Sequence, residues 1–209
     1  APANRRGWYA MPGQLGAPLG FLVASALFAY LYSALPADDF LIWGWRYPFY
    51  VAFAINVVAL FARLRLVATN EYARLLDENE LEPVRVSELV RDQGYNLVIG
   101  AFAPLASYAL FHLVTVFPLS WIALYGNQSA SEFLVVQMLG AVLSAGAMVV
   151  SGKIADTYGR RRTLGTLAVL IGIFALFAHP MLTGGRTGEN ILILLGFVLL
   201  GLSYGQASG

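Results

Sequence analysis

Apolar and polar positions fall along this chain in long blocks, not in the short periods of an amphipathic helix or an alternating strand. Six apolar runs stand out, at about 12–35, 41–62, 97–119, 133–150, 164–181 and 191–208. A run of about 18 or more apolar residues with few charges reads as a membrane-spanning helix, because it covers a hydrocarbon layer of roughly 30 Å at about 1.5 Å per residue. Inside that layer every backbone amide needs a partner from its own segment, so the runs are predicted to be helices. Between the second and third lies a polar stretch, 63–96, that carries nearly half of all the charges. The pattern predicts an all-α integral membrane protein with six transmembrane helices.

Composition supports that reading. The 209 residues are 58% hydrophobic and only 12% charged, with a mean hydropathy of +0.66. A soluble domain is about 45–50% apolar and about 25% charged. Too little polar surface remains here to cover a globule. The chain has no cysteine, which excludes disulfides, a thiol nucleophile and thiolate metal sites. The opening residues, "APANRRGWYA", show neither an initiator Met nor a signal-peptide pattern, and the expectation is that the chain begins inside a longer one.

A net charge of +1 says little, but its distribution sets orientation. With six spans the connecting segments alternate between two sides. One side holds Arg5, Arg6, Arg63, Arg65, Arg74, Arg85, Arg91, Lys153, Arg160, Arg161 and Arg162, while the other holds only Arg46 and Arg186. Basic residues concentrate in cytoplasmic loops, so the richer set is placed in the cytoplasm. Asp38, Asp39, Asn127, Glu132 and Glu189 then belong to short outward loops. In 63–96 the piece "EYARLLDENEL" has helical spacing and a wet opposite face. It reads either as an amphipathic helix on the membrane surface, broken by Pro83, or as a solvated linker.

One charged cluster asks for more than topology. "SGKIADTYGRRRTLG", residues 151–165, places Lys153, Asp156 and Arg160 to Arg162 between two apolar runs. A positive-inside rule requires neither Asp156 nor the glycines. Gly152 permits close helix approach, Gly159 permits a tight turn, and Asp156 suits the positive end of a neighbouring helix. The stretch resembles the loop signature of the major facilitator superfamily, G-x-x-x-D-x-x-G-R-[RK]-x-x-[LT]. The resemblance implies a cytoplasmic gate motif of Gly152, Asp156, Gly159, Arg160, Arg161 and Arg162, closed by arginine–acid contacts when the cytoplasmic side shuts.

Other stretches resemble the metabolite:proton symporter branch of that superfamily. They are "RRGWYAMPGQLGAPLG" at 5–20, "WGWRYPF" at 43–49, "HLVTVFPLSWI" at 112–122 and "LGLSYGQASG" at 200–209. The chain departs from the branch at "ATN", 68–70, where an E-T-P-like triplet is usual, and at His112, where an aromatic is commoner. In the family the signature follows the second and eighth helices, and the long central loop follows the sixth. The offsets here imply family helices five to ten of a twelve-helix fold. Residues 1–62 would close the N-terminal six-helix bundle, 63–96 would form the central cytoplasmic loop, and 97–209 would open the C-terminal bundle. The missing helices of the same polypeptide are then partners, beside the lipid bilayer, a small-molecule substrate and protons.

Within the spans polar groups are few, and an ionisable one is a functional candidate. His112 is the one that lies well inside an apolar run, and imidazole can carry a proton near neutrality. No acidic residue falls inside an apolar run, so the resemblance places an acidic proton carrier outside this chain. The resemblance also implies that spans one, three, four and six line a central cavity. Gln14, Tyr108, His112, Gln137, Tyr204 and Gln206 are therefore the substrate-contact candidates, each equally able to bond a neighbouring helix. Gly201, Gly205 and Gly209 recur every four residues, as do Gly16 and Gly20, and both series suit close packing or bending. Arg46 among Trp43, Trp45 and Tyr47 suits an interfacial anchor, and Asn127-Gln128-Ser129 fits the glycosylation acceptor pattern.

No His-Glu-x-x-His, phosphate-binding loop or nucleophile elbow occurs, so neither an enzyme nor a resident cofactor or metal is expected. The resemblance implies a secondary transporter of the plasma membrane, the inner membrane of a bacterium. It would work by alternating access and carry a small organic acid or betaine-like metabolite with protons. Two alternatives use the same residues: a non-transporting sensor or receptor of this fold, and a six-helix half-transporter that dimerises.

Overall fold

A computed structural model describes residues 13–67, 74, 86–126 and 128–207. Among them every regular element is a helix: α1 (Gly16–Ala34), α2 (Ala37–Ile42), a 3₁₀ turn (Gly44–Arg46), α3 (Tyr47–Val67), α4 (Val86–Phe102), α5 (Leu105–Thr115), α6 (Phe117–Tyr125), α7 (Ala130–Tyr158), α8 (Arg160–Thr183) and α9 (Gly185–Ala207). Six stretches are long and apolar enough to cross a membrane, as the six apolar runs predict. The surface piece 71–81 and Asn127 lie outside the described residues, apart from Arg74 within a helical turn.

The helices overrun the apolar runs that announce them. The third begins at Val86, not near residue 97, and the stretch Val90–Tyr125 is 36 residues long. It is interrupted at Gln93, at Ala103–Pro104 and at Val116. The fourth span runs on to Tyr158, and the sixth starts at Gly185. Hydropathy ends where polar side chains begin, whereas a helix ends where its backbone is capped. At the start of α7 Ser129 Oγ accepts from the Glu132 N–H at 3.3 Å, and the Ser129 N–H donates back to the Glu132 carboxylate. That is a capping box. Its end is Gly159, at φ 82°, a conformation that favours glycine.

Two compact units form. One comprises residues up to Ala34 with those from Ala103 on, and the other runs from Leu35 to Phe102. In the first, α1, α5, α7, α8 and α9 pack around a core that includes Leu110, Val114, Phe133, Phe174, Leu192, Ile193 and Phe197. Tight contact between α7 and α9 is made possible by small residues. A Cβ at Gly201 would collide with the Ser144 carbonyl oxygen and lie 2.9 Å from Ser144 Cα; one at Gly205 would lie 2.8 Å from Ser151 Oγ. Ser151 Oγ donates to the Leu202 carbonyl at 2.7 Å. Gly201 and Gly205 thus serve close packing. Gly16 and Gly20 do not do so among the described residues, since a Cβ at either meets nothing within 4 Å.

In the second unit α3 is exposed nearly all round: Phe49, Tyr50, Phe53, Ile55, Val58, Leu60 and Phe61 all point outward. Arg46 donates to the Ile42 carbonyl at 2.7 Å and lies over the Trp45 ring at 5.0 Å. Trp43 and Tyr47 meet edge to face, the aromatic setting that an interfacial anchor needs.

Candidate functional site

Four helices of the first unit line a cleft of about 200 Å³. Its wall takes Ala17, Pro18 and Phe21 from α1, Phe111 and Thr115 from α5, Ser144 and Met148 from α7, and Phe197, Leu200 and Tyr204 from α9. These are spans one, three, four and six. The wall is mostly apolar and aromatic, with three hydroxyls, those of Thr115, Ser144 and Tyr204. Such a lining, with few polar groups, is the common character of a small-molecule site. Phe21 and Phe197 stand 5.4 Å apart, and Phe111 and Tyr204 6.3 Å apart, so aromatic rings face the space from three helices.

Of the substrate-contact candidates whose side chains are described, Tyr204 alone lines this cavity. Tyr108 stacks edge to face on Tyr204 at 5.8 Å and is itself exposed. His112 is exposed beside the Phe111 ring. Gln14 is half-buried ahead of α1. Gln137 is 1% exposed, and its Nε2 donates to the Val114 and Thr115 carbonyls at 3.2 and 2.9 Å. Gln206 belongs to α9, but its side chain lies outside the described residues. Thr115 and the aromatic wall are missed by sequence reasoning, because a threonine or phenylalanine in an apolar run looks like any lipid-facing residue.

The acids expected in outward loops lie on helices, Asp38 and Asp39 in α2 and Glu132 in the first turn of α7. Glu189 belongs to α9 and not to an outward loop, and it is only 2% exposed. Gln128 folds inward from the loop before α7 and donates to its carboxylate at 2.8 Å and to Asn190 Oδ1 at 3.3 Å. Gln128 Oε1 is buried without a hydrogen-bond partner among the described residues. Beside them Arg186 and Glu132 form a partly exposed ion pair at 3.7 Å. The sequence hides this cluster because a buried acid one turn inside a helix start is indistinguishable from an exposed one.

The signature stretch 152–162 bends at a single residue. Gly152 and Asp156 lie in the last turns of α7, Gly159 alone makes the bend, and Arg160, Arg161 and Arg162 open α8. Gly152 is buried, while Asp156 and the three arginines are exposed. Three cations sit in the first turn of α8, where the helix dipole disfavours them and no side chain caps the helix.

The profile of the Major Facilitator Superfamily matches residues 6–209. The chain belongs to that superfamily. It is 32% identical to the inner membrane metabolite transport protein YhjE of Escherichia coli K12, over 98% of this chain and 48% of that protein. It is 26% identical to the citrate-proton symporter of Klebsiella pneumoniae, over 100% of this chain and 46% of that protein. It is 21% identical to a proline/betaine transporter of Salmonella typhimurium, over 96% of this chain and 41% of that protein. The chain spans about half the length of the curated relatives it matches. No solved structure gives a significant match. The relatives are transport proteins and not enzymes, and with its six membrane-crossing helices the chain is a multi-pass protein of the plasma membrane.

Proposed function

We propose that the protein of which this chain forms part is a secondary active transporter. It works by alternating access and moves a small polar metabolite, an organic acid or a betaine-like compound, together with protons. The observation that carries this is the cavity walled by α1, α5, α7 and α9 inside a major facilitator chain. Proton coupling and the substrate class are suggested by the names of the citrate-proton symporter and the proline/betaine transporter. Tyr204 is the leading substrate contact, with Thr115 and Ser144 beside it and Tyr108 holding its ring. Gln14, His112 and Gln206 remain candidates for contacts made with the rest of the protein. Residues 1–62 are assigned to the end of one six-helix bundle, 63–96 to the central cytoplasmic loop, and 97–209 to the start of the other. Gly152, Asp156, Gly159 and Arg160 to Arg162 are assigned to a latch on the cytoplasmic side.

The test is uptake and counterflow in proteoliposomes holding the full-length protein, with radiolabelled citrate and glycine betaine and an imposed proton gradient. Uptake that follows the gradient is expected, and Tyr204→Phe is expected to raise KM several-fold. Asp156→Asn is expected to slow uptake and leave substrate binding intact. Binding without any flux would instead favour a receptor of this fold.

A further inference from the structure

The third span breaks inside the first unit, and the break is built. Helix α5 ends at Thr115 and α6 begins at Phe117, with Val116 between them. In a continuous helix the Val114 carbonyl would accept from the N–H of residue 118, and Thr115 from that of residue 119. Residue 118 is a proline, which has no N–H. Val114 is fully buried, so water cannot reach the carbonyl that Pro118 leaves open, and an unpaired carbonyl in an apolar setting is costly. Gln137, on the facing helix α7 and itself 1% exposed, fills the gap: its Nε2 reaches both carbonyls, at 3.2 and 2.9 Å. Helix α9 grips the same point, since the space of a Cβ at Gly196 is occupied by the Val114 side chain.

The consequence reaches the cavity. Thr115 lines it, one residue from the break, and its Oγ1 is turned back onto the Phe111 carbonyl at 2.6 Å. Ser144 lines it from α7, seven residues or two helical turns beyond Gln137 and so on the same face. We propose that Gln137 is a positioning residue and not a substrate contact. Its amide replaces the N–H removed by Pro118, locks the break, and sets the separation of the Thr115 and Ser144 hydroxyls across the cavity. Its bearing on transport rests on the function proposed above, while the lock itself does not.

A double-mutant cycle in the full-length protein tests this, with Gln137→Leu, Pro118→Ala and the pair. The readouts are Tm in detergent, the rate at which a Thr115→Cys reporter reacts with N-ethylmaleimide in each background, and KM against maximal rate for citrate and glycine betaine uptake. Gln137→Leu is expected to lower Tm, change the labelling rate, and raise KM about fivefold with a smaller effect on maximal rate, as loss of one positioning hydrogen bond would. Pro118→Ala returns an N–H to Val114, so the pair is expected to recover at least half of each loss. If Gln137→Leu alone fails to fold, the pair still decides: a folded pair upholds the lock and an unfolded one overturns it. Loss of uptake at unchanged Tm, with no recovery in the pair, would show a direct substrate contact and overturn the proposal. A cycle that couples Tm and labelling in a protein that carries neither substrate would keep the lock and count against the substrate class proposed above.

Discussion

The fourth and second spans are both predominantly apolar, yet among the described residues they differ sharply in burial. Among the described residues one face of α7 is buried along its length, whereas α3 is exposed nearly all round. Lipid is as apolar as leucine, so greasiness alone gives no reason for one helix to leave lipid for another. What differs is the size and polarity of the side chains along one face. α7 presents Gly140, Ser144 and Ser151, all buried, and receives Phe197, Gly201 and Gly205 of α9 against them. α3 presents large residues on every side, and its polar residue Asn56 spends its amide on its own helix, donating to the Ala52 carbonyl at 2.8 Å. Helix association here is decided by backbone approach and by polar groups that reach across, not by hydropathy.

Substitutions sharpen that contrast in a graded way. The largest effect is expected from Gly201→Leu. Its side chain would have to displace the backbone of Ser144, at a cost of about 3 kcal/mol or more, seen as loss of the monodisperse folded protein in detergent. Next is Gln128→Leu, which removes the donor to buried Glu189. A drop of about 1–3 kcal/mol in stability is expected, read as a lower Tm, and Gln128→Leu combined with Glu189→Leu should recover part of it. Gly205→Ala is expected to cost about 1 kcal/mol, because its Cβ forces Ser151 Oγ out of its bond to Leu202. Asn56→Leu on α3 is expected to change Tm by less than about 0.5 kcal/mol in equivalent stability, since it removes only a bond within its own helix. A large Asn56 effect would mean that α3 is held by a polar contact on a face that is exposed in this unit.

The site was less legible than the fold. That spans one, three, four and six wall a cavity follows from the family resemblance, and the structure places ten lining residues on those same four spans. Which side chains face it does not follow. Gln137 reads as a cavity polar group, but its amide is taken by a broken helix on the neighbouring span. The pairing becomes readable only when Pro118 is seen opposite it, 19 positions away in sequence. The capping box Ser129-x-x-Glu132, by contrast, is a local pattern that the sequence displays openly. It marks the true start of α7 more accurately than hydropathy does.

The sequence by itself determines the number of spans, the all-helical class and the motif at Gly152 to Arg162, because each depends only on neighbours along the chain. A run of apolar residues must become a helix in hydrocarbon whatever surrounds it. The burial of Glu189, the assembly of Thr115, Ser144 and Tyr204 around one cavity, and the bond from Gln137 to Val114 and Thr115 were decided only in three dimensions. Each depends on which faces of distant helices meet, and helices of equal hydropathy do not encode that in their local pattern. It is set where small residues let backbones approach and where a carbonyl left open by proline finds a donor.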